Sequence, residues 1–264
     1  MNKNLYTILL LCTAVFLSMI YTSYSQKTGS FNETISFNGE DRTVSFYVPQ
    51  DYDPQNEYRL MVCLHGLGDN SANFRNALIN ALSWNMYIPN TIFACPDGGS
   101  DQGRDFYSPA GDEQFIMETI NYCKSEYNIN EDNLIIEGFS LGGRSALKFG
   151  LDNPDLVDAL LLNTPAIQGA LDALNHPQAS LQFAYENADK VKIAISQGAN
   201  DGTYIAPVAL MYGKLLENSG IAYRQIVPNM GHSIAGQSYI QMCLDFIANP
   251  TPFELDAEIR DIIL

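Results

Sequence analysis

Three stretches of the chain, residues 58–66 (YRLMVCLHG), 91–98 (TIFACPDG) and 133–138 (NLIIEG), are almost unbroken apolar runs that each stop at a glycine. A half-exposed strand alternates polar and apolar residues. A run without alternation is buried on both faces, the situation of a strand inside a parallel sheet covered by helices. The intervening segments have the other period: Phe74, Ala77, Leu78, Ala81 and Leu82 fall on one helical stripe, and Phe115, Ile116, Ile120, Cys123 and Tyr127 on another. Further strand patterns occur in 157–165, 191–198 and 222–229, and further helical ones in 206–220 and 237–249. Ahead of all of them, 33–49 (ETISFNGEDRTVSFYVP) contains two strand patterns joined by Asn38-Gly39, a hairpin signal. Strands alternating with helices after an opening hairpin predict a three-layer α/β/α sandwich, with a mostly parallel eight-stranded sheet and an N-terminal antiparallel hairpin.

The first 25 residues have a different character. Lys3 supplies a short positive region, Leu5 to Ile20 is an uncharged and largely apolar run, and Ser23 and Ser25 are small residues ahead of a cut before Gln26. This is the pattern of a cleavable signal peptide, and it predicts a secreted or periplasmic mature protein with no stable membrane association after cleavage. Residues 26–249 then form one domain, since α/β folds of this length commonly do and no linker, repeat or low-complexity tract interrupts them. Residues 250–264 follow Pro250 and Pro252 as a C-terminal tail.

Charge excludes one class of partner. The chain carries 14 Lys and Arg against 30 Asp and Glu, and loss of residues 1–25 removes Lys3 and no acid, moving the net charge from −16 to −17. Such a surface repels phosphate backbones and anionic lipid, so nucleic acid is excluded as a partner. Cys63, Cys95, Cys123 and Cys243 remain after processing, each in an apolar strand or helix pattern, which predicts buried free thiols. Export leaves a disulfide open, with no pairing selected. Neither CxxC nor HExxH occurs, so no metal is predicted.

The chemistry concentrates where strands end, the place where ligands gather in parallel sheets. Gly138-Phe139-Ser140-Leu141-Gly142 matches G-x-S-x-G, with a strand pattern before it and a helical one after it. A serine on so tight a turn is forced toward positive φ, and the residues two before and two after must be nearly free of side chain. A hydroxyl in that position is a nucleophile once a base takes its proton. Of the three histidines, His232 follows the last strand pattern and precedes the last helix, whereas His65 sits directly after 58–64 and His176 in a loop-like insert. His232 is therefore the candidate base. Asp201, in SQGANDG, follows a strand and precedes His232, giving the chain order Ser, Asp, His expected of this architecture. Asp158 and Asp172 are rival acids, the first read as inside a strand and the second in the insert. The backbone N–H groups of Leu141, beside the serine, and of Leu67, in LHGLGDN, are candidate donors to an oxyanion. Phe106, Tyr107 and Tyr204 are candidate aromatic walls of a substrate pocket.

These residues together resemble the α/β-hydrolase superfamily of serine esterases, with LHGLGDN, GFSLGG, the Asp of SQGANDG and the His of MGHS matching in order and setting. The entry SFYVPQDYDPQNEYRLMVCLHG resembles secreted esterases of the feruloyl and acetylxylan type (carbohydrate esterase family one) and polyhydroxybutyrate depolymerase-like enzymes. LHGLGDN with GFSLGG is also similar to the carboxylesterase and acyl-protein thioesterase branch. The resemblance implies hydrolysis through an acyl-enzyme on Ser140, without a cofactor, of a small-molecule or polysaccharide-linked ester. Competing readings are a short-chain carboxylesterase or thioesterase, a serine peptidase with the same three residues, and a non-catalytic binding protein on a hydrolase fold. Composition selects no oligomeric state.

Overall fold

A computed structural model describes residues 26–99, 109–167, 183–219 and 221–250. The predicted signal segment, Phe106, Tyr107, Asp172, His176 and nearly all of the C-terminal tail lie outside those residues. The hairpin expected at the N-terminus is β1 (Gly29–Phe37) and β2 (Glu40–Val48), paired antiparallel from Gly29↔Val48 to Phe37↔Glu40. Its two-residue loop has φ of 52° at Asn38 and 82° at Gly39, the two positive values a primed turn requires and Asn-Gly supplies at low cost.

The remaining strands are β3 (Tyr58–Leu64), β4 (Thr91–Pro96), β5 (Ile129–Phe139), β6 (Ala159–Asn163), β7 (Lys192–Gly198) and β8 (Tyr223–Val227). All eight form one sheet in the order β1-β2-β4-β3-β5-β6-β7-β8. The β2–β4 pair is antiparallel and every pair from β4–β3 to β7–β8 is parallel. The apolar runs thus became central parallel strands, as their lack of alternation requires.

Among the described residues six α-helices cover the sheet: α1 (Ser71–Asn76), α2 (Trp84–Tyr87), α3 (Pro109–Glu126), α4 (Leu141–Asp152), α5 (Ile205–Ser219) and α6 (Gln237–Ala248). One core joins alternate strand residues Leu60, Val62, Ile136, Leu160 and Ile195 to Phe115 and Ile120 of α3, Leu147 and Phe149 of α4, and Met211 and Leu215 of α5. The other joins Met61, Cys63, Phe93, Ile135, Leu161 and Ala194 to Phe74 of α1, Trp84 of α2, and Ile240, Cys243 and Ile247 of α6. Helices therefore lie on both faces, and the topology is that of the α/β-hydrolase fold. Two local differences from the sequence reading appear. The stripe at 74–82 is not one helix: α1 runs into a π-helical turn, Ala77–Ala81, in which Leu82 N–H reaches back five residues to Ala77 O. That register keeps Phe74, Leu78 and Ile79 all buried. Asp158 stands just before β6, where it pairs with Lys192 at 2.8 Å, at the opposite end of the strands from Ser140. Among the described residues, Cys63, Cys95, Cys123 and Cys243 are free and buried.

The hairpin is held to the rest by aromatic packing. Phe46 of β2 is fully buried, with Phe31 stacked at 5.3 Å between ring centroids and Tyr122 of α3 at 5.6 Å. Phe46→Ala should cost about 3–5 kcal/mol of unfolding free energy, seen as a lower urea midpoint with little change in the slope of the transition.

Candidate active site

Ser140 sits between β5 and α4 with φ 56° and ψ −117°, a conformation that costs a non-glycine residue roughly 1–3 kcal/mol and persists only where its surroundings impose it. They do so from both sides: Ser140 N–H donates to Asn163 O (3.1 Å), and Ser140 O accepts from Ala166 N–H (2.7 Å). The turn is closed so tightly that a Cβ on Gly142 would overlap the carbonyl of Leu64, at the end of the neighbouring strand. This is the steric reason for glycine there.

His232 and Asp201 arrive from two loops that are joined to each other. Ala199 N–H donates to Val227 O at 3.0 Å and Asn200 N–H to Met230 O at 2.8 Å. A Cβ on Gly198 would run into the carbonyl of Gly231, so glycine is needed for the two loops to touch. Across that contact His232 Nδ1–H donates to Asp201 Oδ2 (2.8 Å), and His232 Nε2 lies 2.7 Å from Ser140 Oγ. Asp201 is buried, and the same Oδ2 also accepts from Gln197 Nε2 (3.2 Å), so two donors fix that oxygen. With Nδ1 carrying the proton toward the carboxylate, Nε2 is left as the acceptor facing the serine hydroxyl. The imidazole packs against two rings, Phe139 at 5.1 Å and Tyr204 at 4.9 Å between centroids.

The oxyanion candidates also converge. Leu141 is the first residue of the twelve-residue helix α4, whose N-terminal N–H groups favour negative charge. A Cβ on Gly66 would come 3.2 Å from Ser140 Cβ, which places the Gly66–Leu67 segment directly against the serine. His65 anchors that segment. Fully buried, it donates from Nδ1–H to Gly66 O (2.8 Å) and accepts Gly98 N–H at Nε2 (3.1 Å). Gly66 O and Leu67 N–H belong to one planar peptide and point in opposite directions, so fixing the first aims the second. Leu67 itself is exposed, with 60% of its surface accessible.

Of the residues singled out in the sequence, Ser140, Asp201, His232, Leu67, Leu141 and Tyr204 are gathered at one edge of the sheet, and Tyr107 lies outside the described residues. Sequence reasoning missed the supporting groups: His65 as an anchor, Gln197, Asn163, Thr164 and Glu137. Thr164 has φ 36°, an outlier for a β-branched residue, and donates from Oγ1 to Ser233 O at 2.9 Å, beside His232. Glu137 had a visible signal, an acid inside the apolar run NLIIEG. Its carboxyl group is fully buried and pushed up to about 8 by desolvation, against which the hydrogen bond from Asn163 acts. Among the described residues no group of three His, Cys, Asp or Glu side chains is placed to hold a metal ion, and no helix is long and apolar enough to cross a membrane.

The family described as "Putative esterase" matches residues 36–211, a span that contains Ser140, Asp201 and the His65–Gly68 turn. The chain belongs to this esterase family. A bifunctional acetylxylan esterase/xylanase of Neocallimastix patriciarum is 27% identical over 107 residues, which cover 40% of this chain and 15% of that protein's length. A CE1 ferulic acid esterase of the anaerobic fungus Anaeromyces mucronatus superposes with a TM-score of 0.62 at 19% identity, covering 84% of this chain and 90% of that one. Est1E of Butyrivibrio proteoclasticus, solved with ferulic acid bound, gives 0.65 at 14% identity, covering 82% of this chain and all of the other. At such identities the likeness to the solved esterases is one of fold.

Gly198→Ala tests whether the joined loops set the site. Forcing a methyl group against Gly231 O should destabilise the protein by about 1–3 kcal/mol. It should also remove the low-field proton resonance of a His232 Nδ1–H held by Asp201, read by proton NMR against the unsubstituted protein.

Proposed function

We propose that this esterase is an exported serine carboxylic-ester hydrolase, acting on acetyl or feruloyl esters attached to polysaccharide. The observation that carries the mechanism is the continuous relay Asp201 Oδ2–His232 Nδ1 (2.8 Å) and His232 Nε2–Ser140 Oγ (2.7 Å), delivered to a serine in a strained turn. His232 Nε2 takes the hydroxyl proton as Ser140 Oγ attacks the acyl carbon, and Asp201 stabilises the imidazolium so formed. The carbonyl oxygen becomes an oxyanion held by the N–H groups of Leu141 and Leu67, where each donor is worth about 2.7–4 kcal/mol of barrier. His232 returns the proton to the departing alcohol oxygen, leaving the acyl group on Ser140. A water molecule then gives its proton to Nε2 and attacks the acyl carbon, and the second tetrahedral intermediate collapses to free carboxylic acid as His232 returns that proton to the departing Ser140 Oγ.

The substrate class is supported by the similarity to an acetylxylan esterase and to ferulic acid esterases and by Tyr204, whose ring lies 4.9 Å from the imidazole and would offer a hydroxycinnamoyl group an aromatic partner. Exposed Leu67 adds an apolar surface next to the proposed oxyanion donor. Export is supported by the charge and hydrophobic pattern of residues 1–25.

Hydrolysis of p-nitrophenyl acetate by the purified protein tests the reaction. Ser140→Ala and His232→Ala should each reduce turnover to background, and Asp201→Asn should lower kcat by about 10⁴-fold by permitting the wrong imidazole tautomer. Turnover by Ser140→Ala equal to that of the unsubstituted enzyme would refute the nucleophile, and no turnover by any form would favour the binding-protein reading. Parallel assays on methyl ferulate, acetylated xylan and short-chain alkyl esters then rank the substrates. Expression with the native leader should yield a mature protein whose N-terminal residue by sequencing is Gln26, and retention of Met1 would contradict export by cleavage.

A further inference from the structure

Glu137 is the one carboxyl group among the described residues that is fully buried, and it stands on β5 only three residues before Ser140. Its strand neighbours in register are Cys63 on β3 and Leu161 on β6. No ion pair reaches it among the described residues. Oε1 accepts from Asn163 Nδ2 at 2.9 Å, while Oε2 has no hydrogen-bond partner of normal geometry. The Cys63 thiol beside it interacts with the carboxyl group and also bonds to Met61 O at 3.7 Å. Burial of a charged carboxylate without a counter-ion is expensive, so the neutral acid is the form that fits this site.

Asn163, the residue that Glu137 holds, is fully buried at the end of β6 and touches both halves of the site. Its carbonyl receives Ser140 N–H at 3.1 Å. Its side-chain Oδ1 receives Ala235 N–H at 3.4 Å, in the loop that carries His232 three residues earlier. One residue therefore links the serine turn, through its main-chain carbonyl, to the histidine loop, through its side-chain amide, and a single carboxyl oxygen fixes that amide's orientation from below. The amide's other end is set by this: with Nδ2 committed to Glu137, Oδ1 must face Ala235.

Resting on the reading of Ser140 and His232 as nucleophile and base, we propose that Glu137 is a positioning residue, whose neutral carboxyl group orients Asn163 so that the serine turn and the histidine loop stay in register. The group touches no substrate and acts only through Asn163. Its ionisation places an uncompensated negative charge inside the sheet. The titratable groups facing it are the Cys63 thiol of β3 and, one strand farther, the Cys95 thiol, and no charged group of β6 or of the overlying helices acts on it. Burial, then the neighbouring Cys95, push the Cys63 thiol upward as well, so it offers no thiolate across the relevant range.

The stability consequence has a definite sign. The folded-state value near 8 lies above the ordinary 4.5, so the folded state holds the extra proton between those limits. The contribution of Glu137 to stability is complete below about pH 4.5 and is lost as pH rises toward and through 8.

Two substitutions separate positioning from bulk. Glu137→Gln keeps an oxygen for Asn163 Nδ2 and cannot ionise, while Glu137→Leu fills the space and leaves the amide unheld. With p-nitrophenyl acetate at pH 7, Glu137→Leu should lower kcat about tenfold with KM unchanged, and Glu137→Gln should restore most of that loss. Above pH 8 the unsubstituted enzyme should lose kcat relative to Glu137→Gln. Thermal unfolding from pH 4.5 to 9 needs no turnover and should show the two proteins diverging in Tm toward high pH, the unsubstituted one falling. Proton NMR of the His232 Nδ1–H resonance should show it broadened or shifted in Glu137→Leu and retained in Glu137→Gln. A folded Glu137→Leu protein with unaltered kcat, pH profile and His232 resonance would overturn the proposal, as would equal loss of kcat in both variants. Full turnover by Ser140→Ala in the same assays would instead remove the reading on which it rests, leaving the Tm and NMR comparisons to judge Glu137 by themselves.

Discussion

Everything at the candidate site depends on how closely main chain can approach main chain at the carboxyl edge of the parallel sheet. Ser140 occupies a backbone conformation that an isolated chain avoids, because Leu64, Asn163 and Ala166 hold the turn from three directions. Gly142 permits the first of these contacts and Gly198 permits the corresponding one between the acid and histidine loops. A methyl group at either position would separate elements whose functional atoms must lie within hydrogen-bond distance. The strain at Ser140 is thus sustained by neighbouring strands, and the sheet must be assembled before the site exists.

The supporting polar groups follow the same logic at the next layer down. Buried His65, Gln197, Asn163 and Glu137 each spend a hydrogen bond on holding a piece of the site: the Gly66 carbonyl, the Asp201 carboxylate, the histidine loop and the Asn163 amide. Groups of this kind are costly in an apolar interior unless paired, and here most of the pairing is directed at the loops that bear Ser140, Asp201 and His232. The esterase family relationship and the likeness to feruloyl esterase folds fit a scaffold whose strand ends carry the chemistry while the rest of the sheet is apolar.

The fold was legible because its main constraint is local. Unbroken apolar runs such as YRLMVCL cannot satisfy a one-sided sheet, and Asn38-Gly39 admits a primed turn that most pairs resist. The π-helical turn at 77–81 was not legible, since the apolar stripe at 74–82 suits a continuous helix equally well. Asp158 illustrates a different gap. Pattern alone put it inside a strand, and only the strand direction shows that it faces Lys192 at the end remote from Ser140.

By itself the sequence determined the alternation of buried strands and helices, the glycine-flanked serine, and the order of serine, acid and histidine along the chain. Those are properties of near neighbours, where steric demand and hydrophobic period leave a direct imprint on residue type. Tertiary structure alone decided that His232 lies 2.8 Å from Asp201 and 2.7 Å from Ser140, and that an amide from β6 and an acid from β5 sit beneath them. Such contacts join residues tens of positions apart, and their geometry is set by strand order and register, which the spacing of apolar residues does not encode.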